Sequence, residues 1–173
     1  WDCYGQLDLA TRQGNRIMRF SPFNTYAAKD GTVAIGAATQ VDWENLLEVM
    51  DRNHLKNDQN YMNSSWRISN NADVDAIVAN WTKSRPVATI IEQCTEREIA
   101  CSPIREASDL MNWEHLQHRQ LLTPTYHPDY PCIEGPLAAA FPLKFSDANV
   151  GYNSPSAHLG EHNKSVMQAW LDE

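Results

Sequence analysis

One loop near the start of the chain combines residue types that bind or orient a substrate. Its sequence is Gly14-Asn15-Arg16. A guanidinium fork suits a carboxylate, and loops carry functional residues more often than buried elements do. The loop therefore has two open roles. It contacts a substrate or a partner subunit, or its arginine only anchors the loop to the backbone.

Glu161 and His162 near the end of the chain have the residue types of a general-base pair. Gly160 interrupts the chain just before them, and an acidic residue is favourable at a helix N-terminus. We therefore interpret Glu161 as a structural residue at the beginning of the last helix.

Histidine and cysteine side chains give no strong metal signal. His158 and His162 straddle Gly160, so the two are not expected to share a helix face, and His115 and His118 lack an obvious third ligand. We expect no metal site. Cys101 is a candidate reactive thiol, although a cysteine within an apolar strand is usually part of the core. Three tryptophans are expected to make packing or dimer contacts rather than to form a ligand cage: Trp66, Trp81 and Trp113.

Composition limits the classes of function. The 173 residues carry a net charge of −8, which disfavours nucleic acid as a partner. No run of 18 or more apolar residues occurs, so no membrane partner is expected. The four cysteines include no CxxC spacing, which favours reduced thiols and a cytoplasmic location. The chain begins at Trp1 without a leader, and we interpret it as a fragment of a longer protein.

The first half of the sequence predicts a hairpin followed by helices. Residues 24–38 are expected to pair around Asp30 and Gly31, because Asp-Gly between β-prone runs is a strong hairpin signal and glycine tolerates the positive φ of such a turn. Asp42 is expected to begin and cap a helix. Residues 53–70 are polar and rich in asparagine, and are expected to form a long connection with one short helical turn.

The rest of the sequence predicts further helices and short strands. Val74, Ile77, Val78 and Trp81 form the clearest helical stripe, behind Asn70 or Asn71 as cap. The other expected helices are one after Ser84 through Cys94, two over Glu106–Met111 and Trp113–Gln117, and an amphipathic helix after Gly160. The expected extended segments are a run over Ile99–Ile104, a loop or edge strand over 122–136 and a strand over Ala138–Leu143. This is an α+β pattern.

Several motifs occur in a specific order across nearly the whole chain. They are Gly14-Asn15-Arg16, Pro22-Phe23, Tyr26, Asp30-Gly31 with Val33-Ala34-Ile35-Gly36, Trp43-Glu44-Asn45, the helix Val74–Trp81, Ile99-Ala100-Cys101-Ser102-Pro103-Ile104, Pro142–Ser146 and Leu159–His162. In this order and at these spacings, the chain resembles the C-terminal half of a family III CoA-transferase, the CaiB/BaiF family that includes formyl-CoA transferase.

The resemblance implies a fold and a domain plan. The chain is expected to hold the small α+β domain and the C-terminal segment that returns to a Rossmann-like large domain outside this chain. The expected parts are 1–23 as connection, 24–135 as small domain and 136–173 as returning segment. The family forms interlocked homodimers, so the expected partners are the N-terminal half or a second subunit. The returning segment should expose apolar surface in this chain alone.

The resemblance also implies a reaction in which CoA moves between two carboxylic acids through an aspartyl-CoA thioester. The aspartate is expected upstream of Trp1, so the chain alone is expected to be inactive. Acyl-CoA and a carboxylic acid are the expected substrates, and no covalently bound cofactor is expected. Because the net charge is −8, most contacts to the CoA phosphates are also expected upstream.

Residues that line the CoA or substrate site can be proposed from the resemblance. They are Gly14, Asn15, Arg16, Ser21, Pro22, Phe23, Thr39 and Gln40. The stretch 16–21 lacks the glycine run of formyl-CoA transferase, which argues against formyl-CoA or oxalate as substrate. Related racemases place a glutamate at the position of Thr39, and a proton abstraction needs such a base, so Thr39 argues against a racemase. Two alternatives stay open: a non-catalytic subunit or interaction module, and an acyl-CoA racemase or isomerase.

Overall fold

A computed structural model describes residues 12–124, 129, 137–151 and 154–171. The chain divides into two compact units, and the boundary falls between Ile104 and Arg105. Predictions for residues 1–11 and for most of the proline-rich stretch after Pro124 lie outside the described residues. The three-part domain plan remains a prediction.

The first unit combines a small sheet with a set of helices. Its elements are β1 (Phe23–Ala27), β2 (Thr32–Gly36), α1 (Gln40–Val49), a 3-10 helix (Asn53–Asn57), α2 (Gln59–Met62), α3 (Ser64–Ser69), α4 (Asn71–Thr82), α5 (Val87–Thr95) and β3 (Ala100–Pro103). The sheet is antiparallel with β2 in the centre, because β1 and β3 both pair with it. The predicted α+β fold is confirmed for this unit.

The core lies on one face of this sheet. Successive side chains of a strand point to opposite faces, so Val33 and Ile35 of β2 lie on the same face, and both are fully buried. The helices α1, α4 and α5 contribute the rest of the cluster, which includes Trp43, Val78 and Ile90. The stripe predicted for α4 is confirmed as its buried face, with Ile77 partly exposed.

The predicted hairpin forms, but its turn does not use the positive φ that was expected at Gly31. The loop runs from Ala28 to Gly31, and the Ala28 N–H donates to the Gly31 carbonyl at 2.8 Å. Gly31 does not adopt a positive φ. A Cβ on it would lie 3.1 Å from the Cγ2 of Val87, so glycine allows α5 to approach the turn closely.

Two helical predictions need correction. The cap of α1 is Thr39, whose hydroxyl accepts from the Asp42 N–H at 3.1 Å, while the Asp42 carboxylate accepts from the Thr39 N–H at 2.8 Å. This reciprocal pair is a capping box. The asparagine-rich stretch 53–70 forms a 3-10 helix and two short α-helices, because Asp58 and Asn63 each cap a helix with a side-chain oxygen.

The second unit contains short elements. They are α6 (Ala107–Met111), α7 (Glu114–His118), β4 (Leu122–Pro124), β5 (Leu137–Ala139) and α8 (Asn163–Leu171). β4 and β5 pair in antiparallel orientation. The strand predicted over Ala138–Leu143 is shorter than expected, since residues 140–143 are not in a strand.

The apolar face of α8 is exposed, as predicted for the last segment. Its side chains Val166, Met167, Trp170 and Leu171 are 47%, 57%, 76% and 79% exposed. Among the helices that the structure describes, none is long and apolar enough to cross a membrane.

Candidate functional site

The face of the sheet opposite the core carries an open pocket of about 370 Å³. The strand register places Thr25 opposite Ala34, and Ala34 opposite Ser102, on this face. The full set of lining residues is Asn15, Phe23, Asn24, Thr25, Ala34, Ile35, Gly36, Ala100, Cys101 and Ser102. The side chains of β2 and β3 that face the pocket are small, so the floor of the pocket lies close to the strand backbones. No lining residue is charged.

Phe23 forms one wall of this pocket because Gly36 leaves room for its ring. A Cβ on Gly36 would lie 2.7 Å from the Phe23 Cε2, closer than real Cβ contacts. The Phe20 ring lies beside Phe23, with a centroid distance of 6.1 Å. A side chain at Gly36 would therefore displace the aromatic wall.

Asn15 lies at the pocket because it is tied to β1. Its Nδ2 donates to the Thr25 Oγ1 at 2.7 Å. Gly14 precedes it with a φ of +65°, a conformation that favours glycine. Two predicted site residues, Asn15 and Phe23, thus meet at one pocket.

Arg16 forms an ion pair away from this pocket. Its Nε donates to the Asp75 Oδ2 at 2.7 Å, and the Asp75 side chain is 12% exposed. Asn24 donates to the same oxygen at 2.9 Å, and the Tyr26 hydroxyl donates to Oδ1 at 2.6 Å. The carboxylate therefore joins the loop, β1 and α4. Arg16 thus anchors the loop through a carboxylate rather than the backbone, and its contact with a substrate or a partner subunit stays a prediction.

The environment of Tyr26 disfavours its ionised form. Burial raises the pKa of its phenol well above the usual range, and the hydrogen bond to Asp75 raises that pKa further. Tyr26 is 3% exposed. It acts as a permanent donor at neutral pH.

Ser21 and Gln40 meet at a second polar cluster, centred on Arg67. Arg67 is 2% exposed. Its Nε donates to the Ser21 carbonyl at 3.0 Å, and its Nη1 donates to the Gln40 Oε1 at 3.2 Å and to the Tyr61 carbonyl at 2.8 Å. The guanidinium carbon lies 5.3 Å from the Trp43 ring centroid. Burial lowers the pKa of Arg67.

The remaining predicted site residues have local structural contacts. Pro22 is buried, follows a cis peptide bond, and its carbonyl accepts from the Ala37 N–H at 2.9 Å. Thr39 caps α1, so its hydroxyl is committed to the backbone of that helix. Six of the eight predicted residues therefore divide between the pocket, the Asp75 cluster, the Arg67 cluster and a helix cap, while Gly14 and Pro22 belong to none of these groups.

Sequence reasoning missed Asp75 and Arg67, the centres of both polar clusters. Asp75 directly follows Val74 of the apolar stripe, and that position is the one local hint of its burial. Arg67 lies in the stretch predicted as a connection, where nothing local indicated burial.

A depression in the second unit is lined by Arg105, Ser108, Asp109, Asn112, Trp113, Glu114 and His115. Arg105 lies over Trp113, 4.3 Å from the ring centroid, and the His115 ring centroid is 5.0 Å from that of Trp113. The Glu161 carboxylate accepts from the His158 N–H at 2.7 Å, which agrees with a structural role. Across residues 12–124, 129, 137–151 and 154–171, no group of three potential ligands could hold a metal ion.

The sequence matches the family model described as CoA-transferase family III over residues 4–163. The chain belongs to CoA-transferase family III. This finding confirms the resemblance on which the candidate site residues were chosen.

Relatives of this family III chain include proteins that are named as CoA-transferases. It is 27% identical over 167 residues to the succinyl-CoA:mesaconate CoA-transferase of Haloarcula hispanica, covering 96% of this chain and 40% of that protein. It is 26% identical over 162 residues to the beta subunit of the succinyl-CoA–L-malate CoA-transferase of Chloroflexus aurantiacus, covering 92% and 40%. The chain therefore spans about 40% of the length of these curated relatives.

Solved structures confirm the fold. A CaiB/BaiF family protein from Brucella suis superimposes with a TM-score of 0.67 at 21% identity, covering 91% of this chain and 40% of the other. At this identity the likeness establishes the mixed helix and strand fold alone.

Proposed function

We propose that this chain is part of a CoA-transferase that moves CoA between carboxylic acids. The observation that carries the proposal is the family III match over residues 4–163. The relatives named above are CoA-transferases for dicarboxylic acids, namely succinate with mesaconate or malate. A dicarboxylic acid is therefore the acid to test first.

The proposed reaction uses an aspartate that lies outside this chain, upstream of Trp1. Its carboxylate attacks the donor thioester carbonyl, and CoA leaves as a thiolate, which gives a mixed anhydride. CoA then attacks the aspartyl carbonyl and releases the donor acid, which gives an aspartyl-CoA thioester. The acceptor acid completes the exchange by the reverse steps. This chain alone supplies no nucleophile and is expected to be inactive.

The pocket on the open face of the sheet is our candidate for this chain's contribution to the site. Its lining is uncharged, so it suits the acyl or pantetheine part of the thioester rather than the phosphates. Asn15 and Phe23 are the residues proposed to contact the thioester. Gly14, Arg16, Ser21, Pro22, Thr39 and Gln40 are proposed to hold the surrounding backbone in place.

The proposed assembly is an interlocked homodimer in the cytoplasm. The Chloroflexus aurantiacus relatives are named as alpha and beta subunits of one transferase, so a second subunit is the alternative partner. In either assembly, exclusion of water would protect the anhydride and the thioester from hydrolysis.

Incubation of the natural polypeptide with succinyl-CoA and a panel of dicarboxylic acids tests the function. We expect a new acyl-CoA whose yield depends on the acceptor, detected by mass spectrometry, and ping-pong kinetics. The same incubation in deuterated water separates the alternatives. Deuterium at the α-carbon without CoA exchange would establish a racemase. Neither reaction across the panel would leave the non-catalytic subunit as the remaining interpretation.

Asn15→Ala tests the pocket itself. We expect kcat/KM for the acyl-CoA to fall about tenfold, which corresponds to about 1.4 kcal/mol. Asn60→Ala is the matched control, since Asn60 is exposed on α2 and does not line the pocket. Equal values of kcat/KM for the two variants would contradict a role for the pocket.

A further inference from the structure

Two free cysteines of the first unit come together where α5 returns to β3. Cys94 lies in the last turn of α5 and is 0% exposed, while Cys101 in β3 is partly exposed. The Ile99 N–H donates to the Cys94 carbonyl at 2.9 Å, and Glu98 adopts a φ of 56°. This turn reverses the chain and places Cys101 against the cluster that contains Cys94.

Cys101 packs against the core cluster that contains Cys94, which places the Cys94 thiol to donate to the Cys101 sulfur. A donor stabilises the thiolate, so this contact lowers the pKa of Cys101 below its usual value. The same contact and burial raise the pKa of Cys94. The thiolate therefore forms more readily on Cys101 than on Cys94.

The pair also differs in access to solvent. Cys101 lies opposite Ile35 on the edge strand β3 and is partly exposed, whereas Cys94 is fully buried. Small oxidants can therefore reach Cys101 before Cys94, which lies in the core cluster that Cys101 packs against. Reactive cysteines that resist over-oxidation have this arrangement, a thiolate beside a resolving thiol.

We propose that Cys94 and Cys101 form a reversible intrachain disulfide, a modification site for peroxide oxidants. The Cys101 thiolate attacks one oxygen of hydrogen peroxide, the O–O bond breaks, and the leaving hydroxide is protonated to water. Cys101 is now a sulfenic acid. The Cys94 sulfur attacks the Cys101 sulfur, the S–O bond breaks, and hydroxide leaves with the Cys94 proton as a second water. Two thiols and one peroxide thus give one disulfide and two waters.

Peptide mapping of the natural polypeptide tests the proposal. The protein is treated with hydrogen peroxide, free thiols are blocked with iodoacetamide, and trypsin digestion is carried out without reduction. Trypsin cuts after Arg97, between the two cysteines, so the disulfide joins two separate peptides. We expect this linked pair as the main oxidised product. Dithiothreitol should return both peptides and restore alkylation of Cys101 about tenfold.

Two variants assign the roles of the sulfurs. With Cys94→Ser, Cys101 should stop at a sulfenic acid that dimedone traps. With Cys101→Ser, Cys94 should stay reduced because it is buried. The wild-type digest decides the proposal even if a variant fails to fold. It is overturned if Cys101 goes to sulfinic acid without a linked pair, if Cys101 pairs with another cysteine, or if both thiols remain alkylatable.

Discussion

At the scale of single residues, one carboxylate organises the loop that carries the predicted site residues. Asp75 accepts from Arg16, Asn24 and Tyr26, and the first of these is 59 residues away along the chain. Three donors compensate the cost of placing a carboxylate beside an apolar core. Asn15 directly precedes Arg16 in the chain, so the ion pair of Arg16 with Asp75 also fixes the position of Asn15. We therefore expect the pocket to depend on this buried cluster.

Asp75→Asn tests this dependence. The amide has one acceptor oxygen and presents N–H groups where Arg16 or Tyr26 now donate, so we expect unfolding free energy to fall by about 2–3 kcal/mol. Hydrogen exchange of the β2 amides measures the change. Asp73→Asn is the control, because Asp73 is exposed on the same helix. A similar small loss in both variants would show that the cluster contributes little.

The raised pKa of Tyr26 predicts how the stability of the fold changes at alkaline pH. Its folded pKa is raised above the unfolded value of about 10, so the stability it contributes is present below pH 10 and decreases as pH rises above it. Absorbance at alkaline pH should show one tyrosine that ionises only as the protein unfolds. Tyr26→Phe should remove that late ionisation. If the late ionisation persists in this variant, another tyrosine is responsible.

At the scale of elements, the hairpin turn supplies the N-terminal cap of α5. Pro86 precedes this helix and makes no side-chain cap. The Asp30 Oδ1 accepts from the Val87 N–H at 2.7 Å, and the Lys29 N–H donates to the Arg85 carbonyl at 2.9 Å. A residue of the hairpin turn therefore caps a helix that is distant in sequence.

Asp30→Ala should cost about 1 kcal/mol of unfolding free energy, the usual effect of losing a helix cap. Exchange of the α5 amides should rise more than that of the α1 amides. Lys29→Ala is the matched control, because Lys29 is exposed and contributes its backbone N–H to the turn. An equal rise over α1 and α5 in Asp30→Ala would argue against a local capping effect.

At the scale of the whole molecule, the family relationship gives the exposed face of α8 a proposed purpose. A helix with this much exposed apolar surface is stabilised by covering that surface. We expect the rest of the natural polypeptide, or a second subunit, to supply the cover.

The substitution Trp170→Ala tests whether α8 is exposed in the isolated chain and covered in the natural assembly. In the isolated chain we expect a change in unfolding free energy within about 0.5 kcal/mol, since Trp170 is 76% exposed. In the natural assembly, burial of the same ring should make the loss about 3 kcal/mol or more. Thermal unfolding of both forms measures the difference. Val78→Ala, in the core of the first unit, should be costly in both forms. A small effect of Trp170→Ala in the assembly would show that α8 stays uncovered.

Local patterns were sufficient for several elements. The stripe from Val74 to Trp81 predicted α4 because helical periodicity depends only on residues three or four positions apart in the sequence. Asp30-Gly31 predicted the hairpin, and Gly160 preceded the last helix as expected. The ordered motifs also identified the family, which is a property of the sequence itself.

The sequence alone thus determined the family, the α+β class and the existence of most elements, since these depend on short-range periodicity and on motif order. Only the tertiary structure decided that Asp75 and Arg67 are the buried centres, that Arg16 faces Asp75 rather than the pocket, and that Cys94 contacts Cys101. The physical reason is that a buried charge is stable only with partners that the fold brings together. Arg67 meets the Ser21 carbonyl across 46 residues, and no local pattern encodes that distance.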